Sequence, residues 1–252
     1  MIFTTSWDDG YASDLKLAEL LDRHGVRGTF YVCPAAQHDA RMLTKEEIRT
    51  LSATHEIGAH TLSHPRLAHI PREEARREIA DSRQWVEDVT GKPCAMFCYP
   101  KGDADPAVVS LVEESGFLGA RTTERYAFSG TSPFLLPTSL HVYPFPLRRK
   151  FTRWWHVLDP VGQLRTSWSR LRALHIPLLA LRSWQSLAKA LFLEAMENDP
   201  PFFHLWGHSW ELTHYDLWKN LEQFLALVAS HKQHLRMRTN GELVGDLFPM
   251  KP

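Results

Sequence analysis

Thr4-Thr5-Ser6-Trp7-Asp8-Asp9-Gly10 is the stretch on which the fold turns. A β-prone run, Ile2-Phe3-Thr4-Thr5, leads straight into two adjacent carboxylates and a glycine. Side chains alternate between the two faces of a strand, so Asp8 and Asp9 cannot both enter one pocket from regular β-structure. Asp-Gly, however, is a strong turn signal. A strand that ends there can bend and present both acids at its C-terminal edge, where α/β proteins place their chemistry.

Outward from that edge the chain alternates. Ser13 is expected to cap a helix with Leu17, Leu20 and Leu21 on one side and Gly25 as its stop. Gly28 to Val32 reads as a buried strand, and Thr44-Lys45-Glu46-Glu47 is a capping box. Glu56 to Ala59 is a short strand that ends at His60. Pro71 starts a helix in which Ala75, Ile79, Ser82, Val86 and Val89 recur at helical spacing before Gly91. Ala95 to Tyr99 is strand-like, Asp105-Pro106 caps a helix to Gly116, and Phe117 to Thr123 and Leu140 to Phe145 read as strands. Ser183 to about Glu197 is helical, Pro201 to His208 is a strand, and Asp216 to Ser230 is an amphipathic helix. Thr239-Asn240-Gly241-Glu242 is a last capping box. This rhythm predicts parallel β-α units in one domain; it fits an open or a closed sheet equally.

The chain has 252 residues, enough for one large α/β domain. Its 29 basic residues balance 29 acidic ones, so overall charge calls for no nucleic-acid partner. Three cysteines, Cys33, Cys94 and Cys98, form no framework and suit a reducing compartment. No apolar run approaches the roughly 18 residues of a membrane span, and the N-terminus lacks a leader pattern. The expectation is a cytoplasmic protein.

Two further clusters bear on chemistry. His60-Thr61-Leu62-Ser63-His64 spaces two imidazoles four apart, and Pro65 disfavours helix at His64, which predicts a tight turn after a strand. With Asp9 the pair makes a two-His, one-carboxylate set that suits zinc and other divalent ions. Leu205-Trp206-Gly207-His208 closes a late strand. In order, the three clusters resemble the polysaccharide deacetylase family (NodB homology, carbohydrate esterase family 4) from about Thr4 to His208. The resemblance implies a single-domain, distorted seven-stranded (β/α) barrel. It implies one divalent ion, zinc first and cobalt, nickel or manganese as alternatives, on Asp9, His60 and His64. It makes Asp8 the base for the attacking water and His208 the acid for the leaving nitrogen.

The sequence departs from the family at Phe97-Cys98-Tyr99-Pro100-Lys101-Gly102. There the usual pattern is Arg-x-Pro-Tyr, with the backbone N–H at its last position holding the oxyanion. Lys101 keeps that donor, but Cys98 replaces the arginine that tethers the catalytic Asp, and a neutral thiol is a weak donor without charge. Arg121, near the end of the strand-like Phe117 to Thr123, is expected to take over and contact Asp8. The family's fourth motif, an Asp with a nearby Trp, has no match. His204 reads as a satisfied core histidine, with a second site residue as the alternative, Trp206 as packing or a pocket wall, and Glu211 and His214 as a solvated loop.

Residues 145–184 are the least barrel-like part. Arg148, Arg149, Lys150, Arg153, Arg165, Arg170 and Arg172 stand among Trp154, Trp155 and Trp168 with one acid, Asp159. A lid or insertion is expected there, with aromatic faces for sugar rings, arginines for phosphate, and peripheral contact with the inner membrane face. The function expected is metal-dependent N-deacetylation of an N-acetylated sugar, which includes nucleotide-linked, lipid-linked and oligosaccharide substrates. Hydrolysis of another non-peptide C–N bond (formamide, ureide or cyclic imide) and non-catalytic sugar binding are the alternatives.

Overall fold

The opening run forms β1 (Ile2–Trp7), buried at every position. In the computed structural model, which describes residues 1–35, 41–148, 150 and 157–249, the other strands are arranged about it. Arg149, Arg153, Trp154 and Trp155, singled out above, lie outside the described residues. On one side follow β2 (Gly28–Val32), β3 (Glu56–Ala59), β4 (Met96–Cys98) and β5 (Gly119–Arg121). On the other stand β7 (Phe202–Gly207) and then β6 (Leu140–His141). The order is β5-β4-β3-β2-β1-β7-β6 and every pairing is parallel. A two-residue strand, β8 (Arg236–Met237), pairs with Ile2 and Phe3 at the foot of β1, below the part that β2 occupies.

The ring closes through the extended stretch that leads into β6. Leu136 N–H donates to the Ala120 carbonyl (2.9 Å) and its own carbonyl accepts from Thr122 N–H (2.9 Å). Six residues on, Val142 N–H donates to the Trp206 carbonyl (2.8 Å), so residues 136–142 run from β5 to β7. Only a 3-10 turn, Pro133–Leu135, stands between β5 and β6 where a helix would complete the repeat. The result is a distorted (β/α)7 barrel.

Around it stand α1 (Asp14–Arg23), α2 (Lys45–Leu51), α3 (Arg72–Thr90), α4 (Pro106–Glu114), α5 (Asp159–Ala173), α6 (Trp184–Asn198), α7 (Ser209–His214), α8 (Trp218–Ser230) and α9 (Asn240–Leu247). Helix α3 buries Ala75, Ile79, Ser82, Val86 and Val89, the periodic set of the sequence, and ends on left-handed Gly91 (φ 67°). Both capping boxes form, Thr44 with Glu47 and Thr239 with Glu242. The expectation for Ser13 fails. Its backbone is helical and its hydroxyl caps nothing, meeting the Ser209 hydroxyl instead at 2.7 Å. The strands β4, β5 and β6 are shorter than expected. Pro100 follows β4 closely, and Pro144 has no N–H with which to carry a ladder past β6.

Alternation along β1 sorts its side chains. Phe3 joins Phe192, Phe203 and Phe224 in an aromatic layer under α6 and α8, with ring centroids 5.7–6.5 Å apart. Each such pair adds about 0.5–1.5 kcal/mol beyond area burial. Thr4 and Ser6 point inward and bond to Asn240 and His204, both at 2.8 Å. The barrel interior is therefore polar along this strand, and the next inward position is Asp8.

Candidate active site

Asp8 and Asp9 follow β1, and the backbone turns between them as the sequence requires. Asp9 has φ 80° and Gly10 φ 80°, left-handed values that swing the second carboxylate onto the side of the first. Asp8 is 3 % exposed and faces Arg121, which is 0 % exposed. The Arg121 guanidinium donates to Asp8 Oδ1, the contact expected from its place in the strand after Pro100. Its plane lies between two rings, 4.6 Å from the Trp206 centroid and 5.5 Å from that of Tyr31. Burial alone would raise the Asp8 carboxyl, but Arg121, aided by His60 and His208, overrides this and holds it at about 2. The thiol at the vacant arginine position is also closer than expected: Cys98 Sγ sits 3.6 Å from Asp8 Oδ2, and burial keeps it protonated and able to donate. The sequence reading, which gave Cys98 no part in holding Asp8, is corrected here, although the charge still comes from Arg121.

His60 follows β3 and His64 ends the tight turn that the sequence predicts. Thr61 (φ 64°) and His64 (φ 62°) are both left-handed. The turn is held from α3: Glu78 accepts from Leu62 N–H (2.8 Å), Ser63 N–H (2.9 Å) and the Ser63 hydroxyl (2.6 Å). Asp9 Oδ1 lies 3.6 Å from His60 Nε2 and 3.6 Å from His64 Nε2, and it is buried without a hydrogen-bond partner. His60 Nδ1 is 2.7 Å from the Cys98 carbonyl, which fixes the proton on that nitrogen and leaves Nε2 with its lone pair. Burial lowers both imidazoles, His64 to about 4, so both are neutral. Donors bound at about 2.1 Å in tetrahedral array stand roughly 3.4 Å apart. The three atoms thus fit one divalent ion, and an orphaned carboxylate oxygen is what such an ion would satisfy.

Across the mouth, β7 delivers His208. Burial would depress it, but Glu211 counters, its Oε2 2.8 Å from His208 Nδ1, and raises it to about 9. His208 Nε2 points back to Asp9 Oδ2 at 3.9 Å. Glu211 is the functional group that the sequence reading misplaced. It is no loop residue but a buried member of α7, and it also meets His141 Nε2 at 3.2 Å. Its signal was the spacing: three residues after His208, one helical turn returns its carboxylate to the imidazole. His141 stacks on Trp206 at 4.0 Å, so Trp206 is a wall shared by Arg121 and His141. His204 is fully buried and bonded to Ser6, a core residue. Lys101 (φ 59°) lies on the turn after β4 with its side chain exposed. His214 ends α7, exposed to solvent beside Tyr215.

Residues 2–120 match the polysaccharide deacetylase family model. The peptidoglycan-N-acetylglucosamine deacetylase PgdA of Listeria monocytogenes is 31 % identical over 88 residues, 34 % of this chain and 18 % of that protein. The chain spans less than half the length of the curated relatives it matches. Among solved structures, a polysaccharide-deacetylase-type protein of Mycobacterium smegmatis superposes with a TM-score of 0.64 at 16 % identity, over 98 % of this chain and 89 % of that one. A carbohydrate esterase family 4 pseudoenzyme of Bacillus anthracis gives 0.56 at 15 % identity, over 96 % and 65 %. These likenesses show the barrel, and over residues 2–120, which carry Asp8, Asp9, His60 and His64, the chain matches the polysaccharide deacetylase family as a divergent relative.

Proposed function

We propose that the chain removes acetyl from an N-acetylated sugar with a divalent ion, zinc in the first instance, held by Asp9, His60 and His64. The observation that carries this reading is the unpartnered Asp9 Oδ1, equidistant from two neutral imidazoles, with an ionised carboxylate on one side and a charged histidine on the other. The ion, when bound, acidifies a water and polarises the acetamide carbonyl. Asp8 takes the proton of the attacking water. Held at about 2, it is a transient acceptor and releases that proton to solvent, which returns it ionised for the next water. His208, raised by Glu211, is the group that keeps a proton and delivers it to the departing amine. The Lys101 N–H is the backbone donor for the oxyanion. The name of PgdA, which specifies N-acetylglucosamine, supports an N-acetylated sugar as the substrate class. A non-catalytic sugar binder would need neither the Asp8–Arg121 pair nor the charged His208. The buried free cysteines support a reducing, cytoplasmic setting.

Acetate release from a panel of N-acetyl sugars tests the reading. Release should stop on chelation and return with a divalent ion, and His60→Ala should lower both metal content and release. Undiminished release from the chelated protein would end the metal assignment. Release from formamides or cyclic imides in place of N-acetyl sugars would move the substrate to another C–N bond.

A further inference from the structure

Charge in this chain is unevenly placed. Nine of its 29 basic residues and one of its 29 acidic ones fall between Tyr143 and Leu193. That segment therefore carries a net charge of +8, and the rest of a neutral chain −8. Apolar exposure collects in the same segment. Six of the eight exposed large apolar side chains among the described residues belong to it, led by Leu178 (71 % exposed) and Leu179 (77 %). Helix α5 turns Leu164 and Leu171 to the core and sets exposed Arg165, Trp168 and Arg172, at i, i+3 and i+7, along one outer face. Arg182 is exposed beside the leucine pair.

The topology fixes where this surface lies. The segment leaves the C-terminal end of β6 and returns at the start of α6, and both points are on the end of the barrel that carries Asp8, His60 and His208. It is tied to that rim on two sides. Arg170 donates to Glu124 and to the Arg125 carbonyl beyond β5, and Lys150 donates to the His214 carbonyl at the end of α7. Among the described residues no helix is long and apolar enough to cross a membrane. A contact with lipid here is a contact with the surface.

We infer that residues 157–182 dock the barrel on an anionic lipid surface, with Leu178, Leu179 and Trp168 in the apolar boundary and Arg165, Arg172 and Arg182 on the headgroups. A basic helix face that carries a tryptophan, next to an exposed leucine pair, has both attractions such a surface offers. The acidic remainder of the chain is repelled by the same surface, so the charge split also sets orientation, with the mouth of the site toward the bilayer. The docking does not depend on the deacetylase reading, and its test needs no substrate.

The test is co-sedimentation of the intact chain with phosphatidylcholine vesicles that contain about 30 mol % phosphatidylglycerol, against pure phosphatidylcholine, at low salt and at about 0.5 M salt. Binding should require phosphatidylglycerol and weaken with salt. L178E/L179E and R165E/R172E should each bind about tenfold more weakly or less, at wild-type melting temperature. These positions are exposed, so the fold should stand. No binding to phosphatidylglycerol vesicles, or wild-type binding by L178E/L179E, would overturn the inference. So would dimerisation through the leucine pair without vesicle binding, seen in sedimentation equilibrium, or capture of soluble dextran sulfate by a protein that ignores vesicles.

Discussion

Asp8 and Asp9 are consecutive and chemically identical, and their surroundings divide them. One oxygen of Asp8 is taken by a guanidinium and the other approached by a thiol, whereas Asp9 Oδ1 has no hydrogen-bond partner and faces two imidazoles. Asp8→Asn should therefore keep the bound metal, measured by elemental analysis, and lose about 100- to 10,000-fold in turnover. Arg121→Ala should also lose turnover, and it should cost about 3–5 kcal/mol of stability as well, because it strands a buried carboxylate. Asp8→Asn in turn leaves the fully buried Arg121 charge unpaired, so urea unfolding should show both variants destabilised, and wild-type stability in either would remove the pairing. The site's pH window follows from the same contacts. Asp8 is depressed, so its stabilising pairing is present above its unfolded value near 3.9 and is lost as pH falls through about 2. His208 is raised, so its pairing with Glu211 is fully present below about 6.5 and is lost as pH rises through about 9. Turnover should fall on the alkaline side near that value, and Glu211→Gln should move the fall toward the ordinary histidine range. An alkaline limb that stays in place in Glu211→Gln would remove His208 as the proton donor.

Elements, more than single residues, explain what the sequence made legible. Helix α3 was readable because its periodicity is local, and the same helix supplies Glu78, whose three hydrogen bonds hold the His60–His64 turn. Glu78→Gln retains acceptance through one oxygen only, and it should weaken metal affinity, read by competition with a chelating dye, while turnover at saturating metal changes little. Wild-type affinity would show that the turn holds itself. Both acids, His60 and His64, Arg121 and His208 could be found because each ends or follows a strand and so faces the barrel mouth. Glu211 was missed, since a six-residue helix after a strand looks like loop until tertiary contacts fix it, and its spacing from His208 signals a pairing only once that helix forms. The stretch 136–142 escaped for a related reason: its hydrogen bonds go to β5 and β7, far away in sequence, and so leave no local period.

At the scale of the whole molecule, the barrel is finished from its end. Asn240, the first residue of α9, sits fully buried at the foot of the barrel and bonds to Thr4 and to the Tyr31 hydroxyl, at 2.8 and 2.9 Å. Asn240→Ala orphans both partners and should cost about 1–3 kcal/mol for each. Thermal unfolding with a wild-type midpoint would show that water replaces the amide. The place of β1 has a further consequence. Of the barrel's strands it is the first to leave a ribosome, and its longest pairing, six residues from Ile2↔Phe202 to Trp7↔Gly207, is with a strand some two hundred positions later. At about 5–20 residues per second the nascent β1 waits roughly 10–40 s for that partner. Through that interval its β7 edge is open, and Phe3 has neither Phe203 nor Phe224 to cover it. This chain's most vulnerable moment is therefore its synthesis, when the strand that will bear Asp8 and Asp9 has only β2 beside it.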